Sequence, residues 1–139
     1  MSFQLSHRSL ARLVGVHPTL VKVVKAAILI SKIDFTVVEG VRDYDTQRRY
    51  FLAGKSRTMR SKHLTGHAVD LMPFGDFNGD GVPEGSWDRH HFHPLNDAMQ
   101  QAAATLKVRV TWGGTWPTFF DGPHFELDPV AYPWPKEAA

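Results

Sequence analysis

The stretch Ser61-Lys62-His63-Leu64-Thr65-Gly66-His67-Ala68-Val69-Asp70-Leu71 decides how this chain is read, together with Asp121-Gly122-Pro123-His124-Phe125-Glu126 near the far end. The apolar run over 67–74 predicts a strand with Ala68, Asp70 and Met72 on one face and Val69 and Leu71 on the other. A carboxylate inside such a run is costly to bury alone, so Asp70 calls for a metal, a cation or a hydrogen-bond network. His63, Asp70 and His124 are a suitable ligand set for a catalytic zinc that keeps one position open for water. For His63 to turn back towards the ion, the chain must bend at Gly66. If the strand bearing His124 pairs antiparallel with that of Asp70 in the right register, both side chains fall on one face. Asp121 stands three residues before His124, where a general base is wanted.

Upstream, Leu10, Leu13 and Val14 predict a short helix over 6–14, closed by Gly15. A second helix is predicted over 19–32, with Leu20, Val23, Val24, Ala27, Ile28 and Ser31 on its apolar stripe. Residues 34–42 read as a strand, and Asp43-Tyr44-Asp45 is an N-cap region for a helix over 46–53 that Gly54 stops. Arg42 therefore sits at the mouth of a strand-to-helix turn, where it is the best-placed cation for a developing oxyanion. Residues 55–62 form a polar loop with Lys55, Arg57, Arg60 and Lys62. A solvated surface accounts for it, and a loop that meets an acidic substrate is the functional alternative. No aromatic residues are interleaved to stack on bases, so it makes a poor nucleic-acid patch.

Downstream, Asp76, Asn78 and Asp80 with Gly81 resemble the start of a calcium loop. Trp87 occupies the position where that loop needs a bidentate Glu, so an Asx-rich turn is the plainer reading. His90, His91 and His93 lead into a helix predicted over 94–106, with Leu95, Ala98, Met99, Ala102 and Leu106 as its buried stripe. Adjacent histidines rarely converge on one ion, and these are read as surface. Strands are predicted over 108–112 and 124–127. Pro129, Pro133 and Pro135 keep the tail over 129–139 irregular, with Tyr132 and Trp134 packing back on the body.

The 139 residues suit a single domain with a core over about 18–128, and 42% hydrophobic residues fit a globular chain. There is no cysteine, so any metal must be held by His, Asp or Glu. The longest apolar run, 23–30, contains Lys25 and is far short of a bilayer span, and the start lacks a signal-peptide core. A soluble, cytosolically made chain without membrane insertion is expected, with a monomer as the default. The net charge of +2, eight His and a pI near 9.0 give a weak attraction to polyanions that does not choose between nucleic acid and anionic cell wall. No specific nucleic-acid partner is expected.

The run Ser61-Lys62-His63-Leu64-Thr65-Gly66-His67-Ala68-Val69-Asp70 resembles the S-x-H-x6-D motif of peptidase family M15, and Asp121-Gly122-Pro123-His124 resembles its acid-x-x-H motif. The strand motif 38–42 with Gln47 on the next helix is similar to the family's pattern, and the resemblance runs from about 18 to 127. It implies zinc on His63, Asp70 and His124, catalysis by Asp121 and transition-state support from Arg42. It also implies the hedgehog/DD-peptidase α+β fold, a small antiparallel sheet packed by helices. The Met-Ser-Phe start, the Asp-Gly-x-His form and the Trp-Gly-Gly-x-Trp stretch are most similar to single-domain endolysins of tailed phages. Those enzymes cut the L-Ala-D-Glu bond of the peptidoglycan stem peptide, and they reach the wall through a holin-made hole to lyse the host. Calcium regulation is implied for some phage relatives. A D,D- or L,D-carboxypeptidase releasing terminal D-Ala is the alternative on the same scaffold. A catalytically silent zinc domain that binds wall is the other, and Asp121 argues against it because a structural zinc needs no base.

Overall fold

Helices α1 (His7–Arg12) and α2 (Pro18–Ile30) precede strand β1 (Phe35–Glu39) and helix α3 (Tyr44–Leu52). Strands β2 (Ala68–Gly75) and β3 (Glu84–Gly85), helix α4 (Arg89–Thr105), and strands β4 (Val110–Trp112) and β5 (His124–Leu127) follow. The computed structural model describes residues 2–56 and 58–133, so Met1, Arg57 of the basic loop, and Trp134 and Pro135 of the tail lie outside the described residues.

The strands form one antiparallel sheet in the order β1-β2-β5-β4, with β3 paired to the end of β2. The architecture is α+β, as the motifs imply. Helices α2 and α4 cover one face, where Leu20, Val24, Ala27, Leu95 and Met99 meet Val37, Leu71 and Phe125. This apolar burial is the main stabilising contribution to the fold. Leu13 and Val16 are also buried, so the core expected over 18–128 takes in residues before 18. Helix α1 packs along β1: the Ser9 hydroxyl accepts the Val37 N–H at 3.0 Å, and Arg12 Nη1 donates to the Val37 carbonyl at 2.9 Å. Edge strand β1 thereby loses its bare backbone.

Four local expectations need correction. Helix α4 starts at Arg89 rather than Pro94, because Asp88 caps it by accepting the His90 N–H at 2.9 Å and because Phe92, 1% exposed, reaches the core from its first turns. Pro94 lies inside the helix, which forgoes one backbone bond there. Leu106 is not part of the buried stripe, for it caps the helix and is 40% exposed. The strand predicted over 34–42 stops at Glu39, where the pairing with β2 slips by one residue at Val38. The strand predicted over 108–112 begins at Val110, since the Val108 N–H is used to close α4 on the Ala103 carbonyl at 2.8 Å. Strand β3 was not expected, and it turns 76–83 into the loop of a hairpin. Tyr132 packs on the core as expected, with its ring 5.3 Å from that of His17.

Candidate metal centre and cleft

The register of β2 and β5 puts Asp70 directly opposite His124. His63 comes from a short 3-10 turn, Lys62–Thr65, capped by the Ser61 hydroxyl, which accepts the His63 N–H at 3.2 Å. Gly66 ends that turn at φ +74°, and a Cβ there would lie 2.7 Å from the Gly15 carbonyl oxygen. Only glycine fits both the backbone conformation and the close approach. The bend carries His63 Nε2 to 3.2 Å from Asp70 Oδ1, and His124 Nδ1 stands 3.4 Å from the same oxygen. Potential ligand atoms of all three lie within 4.8 Å of one another, the one such His/Cys/Asp/Glu group among the described residues.

Outer partners fix the direction in which each imidazole presents its lone pair. His63 Nδ1–H donates to the Gly40 carbonyl at 2.8 Å, which turns Nε2 towards Asp70. His124 Nε2–H donates to Glu126 Oε1 at 2.8 Å, leaving Nδ1, and Lys62 Nζ holds Glu126 Oε2 at 2.6 Å. Two buried imidazoles with locked tautomers and one carboxylate, converging from a strand pair and a turn, fit a zinc ion with an open position. Burial pushes the Asp70 carboxyl up, but hydrogen bonds from His124 and His63 outweigh it and hold the group well below the usual carboxylate range. Burial pushes His124 down, but its bonds to Asp70 and Glu126 win and lift it to about 9. Without a metal, a proton on His124 supplies the positive charge that Asp70 and Glu126 demand.

A cleft of about 740 Å³ opens over this floor, lined by Arg42, Asp121, Trp116 and the ligand trio among others. Asp121 is half-buried; burial and then the charge of Asp70 push its carboxyl up. Its backbone N–H donates to the Gly113 carbonyl at 3.1 Å, and a Cβ on Gly113 would come 2.4 Å from the Asp121 carbonyl oxygen. The bare Gly113 backbone lets the 116–123 loop close down beside His124. Trp112 pins that loop by donating its indole N–H to the Gly122 carbonyl at 2.7 Å.

Arg42 is held on three sides. Its Nε donates to Glu39 Oε1 at 2.8 Å, its Nη2 bonds the same oxygen, and its Nη1 donates to Gln47 Oε1 at 2.6 Å. Its guanidinium lies 4.7 Å from the centre of the Tyr50 ring. Gln47 has no exposed surface; its Nε2 donates to Ser56 Oγ at 2.8 Å and the Thr58 carbonyl at 2.5 Å.

The structure thus brings His63, Asp70, His124, Asp121 and Arg42 to one cleft. Other sequence candidates fall elsewhere. His67 is buried, bonded through Nδ1 to Thr65 Oγ1 at 2.7 Å, and lies outside the trio. His90, His91 and His93 do not converge: His91 stacks on Phe77 at 4.0 Å, while His93 meets the edge of Trp112 at 5.4 Å. In the loop that resembles the start of a calcium loop, Asp76, Asn78 and Asp80 accept backbone N–H groups of Gly79, Gly81, Asp80 and Val82 at 2.8 to 3.1 Å, the bonding of an Asx-rich turn. Reasoning from sequence missed Glu126 and Lys62 as outer partners and Gln47 as the junction between Arg42 and the 54–60 loop. For Glu126 a signal was present, because His-x-Glu on a strand puts both side chains on one face.

A buried His–Asp–His floor with a carboxylate at its margin and an open cleft above is the layout of a metal-centred hydrolase site. Over residues 1–128 the chain matches the family model of phage L-alanyl-D-glutamate peptidases, and it belongs to that family. It is 31% identical to the L-alanyl-D-glutamate peptidase of Escherichia phage T5, in an alignment covering 91% of this chain and 99% of that protein. It is also 31% identical to the L-alanyl-D-glutamate peptidase of Listeria phage A118, matching 72% of this chain but 32% of that longer protein. The solved structure of Serratia marcescens L-Ala D-Glu endopeptidase ChiX superposes with a TM-score of 0.86 at 41% identity, covering 96% of both chains. The family is one of peptidases, so this chain is an enzyme, and its α+β fold is shared with a solved member of that activity.

Proposed function

We propose that the chain is a zinc-dependent endopeptidase that hydrolyses the L-Ala-D-Glu bond of peptidoglycan stem peptides, acting as a phage endolysin. The observation that carries this reading is the convergence of His63, Asp70 and His124 at the base of the cleft that Asp121 also lines. The donor set and its locked tautomers suit zinc, which would be held by these three residues. A zinc ion so held supplies Lewis-acid polarisation and acidifies water.

The remaining work falls to the chain itself. Asp121, with its carboxyl raised by burial and by Asp70, is suited to accept a proton from the attacking water and return it to the departing D-Glu amine. Arg42 keeps N–H groups beyond those bonded to Glu39 and Gln47, and it offers them to the oxygen that gains charge as the carbonyl is attacked. Glu39, Gln47 and Tyr50 hold that guanidinium in place, so little reorganisation is needed when charge develops. In this reading the enzyme works as a monomer. It would be made in the host cytoplasm and meet the wall after holin-mediated release. Among the described residues no helix is long and apolar enough to cross a membrane.

The test is digestion of purified Gram-negative peptidoglycan by zinc-loaded protein beside a chelated control, with products read by mass spectrometry. Stem peptides that begin with a free D-Glu amine, formed only with metal, are the expected result. Release of D-Ala instead would move the function to a carboxypeptidase. Asp121→Asn should lower kcat by about 10²- to 10⁴-fold while bound zinc stays at the wild-type ratio; unchanged turnover would remove Asp121 from the mechanism.

A further inference from the structure

Two loops of different chemistry line the cleft. One contributes Trp116, Pro117 and Phe119, and the other contributes Lys55 and Arg60. The acidic residues lining it are Asp70, Asp121 and Glu126, which are the metal-site carboxylate, the carboxylate at its margin and the outer partner of His124. Two of its cations are already matched by carboxylates, Arg42 by Glu39 and Lys62 by Glu126. Lys55 is exposed and forms no ion pair among the described residues, so it is a charge presented to whatever enters.

The backbone that carries Lys55 is fixed. Gly54 leaves α3 at φ +76°, and the Lys55 and Ser56 N–H groups donate to the Tyr50 carbonyl at 2.8 and 3.2 Å. Buried Gln47 ties Ser56 and Thr58 from beneath. The backbone beneath Lys55 is therefore part of a frame that shares Gln47 with Arg42.

A D-glutamyl residue acylated on its nitrogen carries two carboxyl groups. When one is joined onward in a peptide, the other remains as an anion close to the scissile amide. We propose that Lys55 is a specificity-determining residue that recognises this free carboxylate, so that the enzyme favours stems with D-Glu as the free acid over stems in which that carboxyl is amidated. The inference rests on the endopeptidase reading. An ammonium suits the task, since a single flexible cation meets one carboxylate without the planar demands of a guanidinium.

The experiment uses the full-length zinc-loaded protein and two synthetic stem peptides that differ only in acid or amide at that carboxyl. Steady-state kcat/KM is measured for wild type, Lys55→Gln, Lys55→Arg and Lys55→Glu. Wild type is expected to prefer the acid by about fivefold, as suits a partly solvated ion pair. Lys55→Gln should bring the ratio near one, mainly through KM for the acid, Lys55→Arg should keep the preference, and Lys55→Glu should reverse it. The wild-type preference should also shrink as salt is raised. A ratio that is the same in wild type and Lys55→Gln would overturn the inference while leaving the peptidase intact. If wild type cuts neither peptide, the endopeptidase reading fails and this inference fails with it.

Discussion

Strand β2 carries Asp70 in its body and runs directly into Asp76, Asn78 and Asp80, yet the two acidic stretches are answered in opposite ways. Asp70 is met by imidazoles from other parts of the chain, His63 across a turn and His124 across the sheet. Asp76 and Asp80 are met by their own loop, through the N–H groups of Gly79, Gly81 and Val82. A carboxylate whose partners come from distant segments leaves a cation-shaped demand at a fixed point. One whose partners are neighbouring amides mainly shapes a turn. Residue type alone does not separate the two, whereas the origin of the partners does.

The strongest way to break this contrast is at its buried end. Asp70→Ala should abolish tight zinc binding, seen as loss of metal by elemental analysis after gel filtration. It should also lower peptide hydrolysis by roughly a thousandfold or more. A variant that retained stoichiometric zinc would show that Asp70 is only a partner of the two histidines. Next in size is Glu126→Gln, which keeps the shape but weakens the acceptor behind His124. Zinc affinity, measured by competition with a chromophoric chelator, should fall about 10- to 100-fold.

The pH dependence sharpens the contrast further. In the metal-free protein His124 stands at about 9, above its ordinary 6.5. A raised folded-state pKa adds stability that is fully present below 6.5 and is lost as pH rises through about 9. The denaturant midpoint of chelated protein should therefore decline across that window, and zinc uptake at neutral pH should release a proton. A flat midpoint from pH 6.5 to 9 would mean that His124 is not held as a cation. The smallest effect belongs to the exposed loop. Asp76→Asn should cost about 1 kcal/mol or less in thermal stability and leave zinc content alone. If millimolar calcium raises the melting temperature of wild type and not of this variant, the loop joins Asp70 as a cation-binding stretch.

The centre of the site was legible because its requirements are local and chemically narrow. An acid within an apolar strand needs partners, Gly66 permits the bend, and His124 can face Asp70 only in one register. What lies around the centre was less legible, because it depends on which segments become neighbours. Lys62 reaches Glu126 only once β5 lies beside β2, and Gln47 joins Arg42 to the 54–60 loop only once α3 is docked. The start of α4 was misplaced because Pro94 is a familiar first-turn residue, while the cap at Asp88 and the burial of Phe92 are stronger local forces. The two-residue β3 offers too short a pattern to be seen in sequence.

Gln47 has a consequence for anyone who would retarget this enzyme by loop exchange. Its one side-chain amide takes a bond from the arginine on one side and gives bonds to the loop on the other. A donor loop grafted from a relative inherits that appointment whether or not it can keep it. The transplantable unit is therefore 42–60, helix included, and a shorter graft would swap the surface while unseating the arginine beneath it.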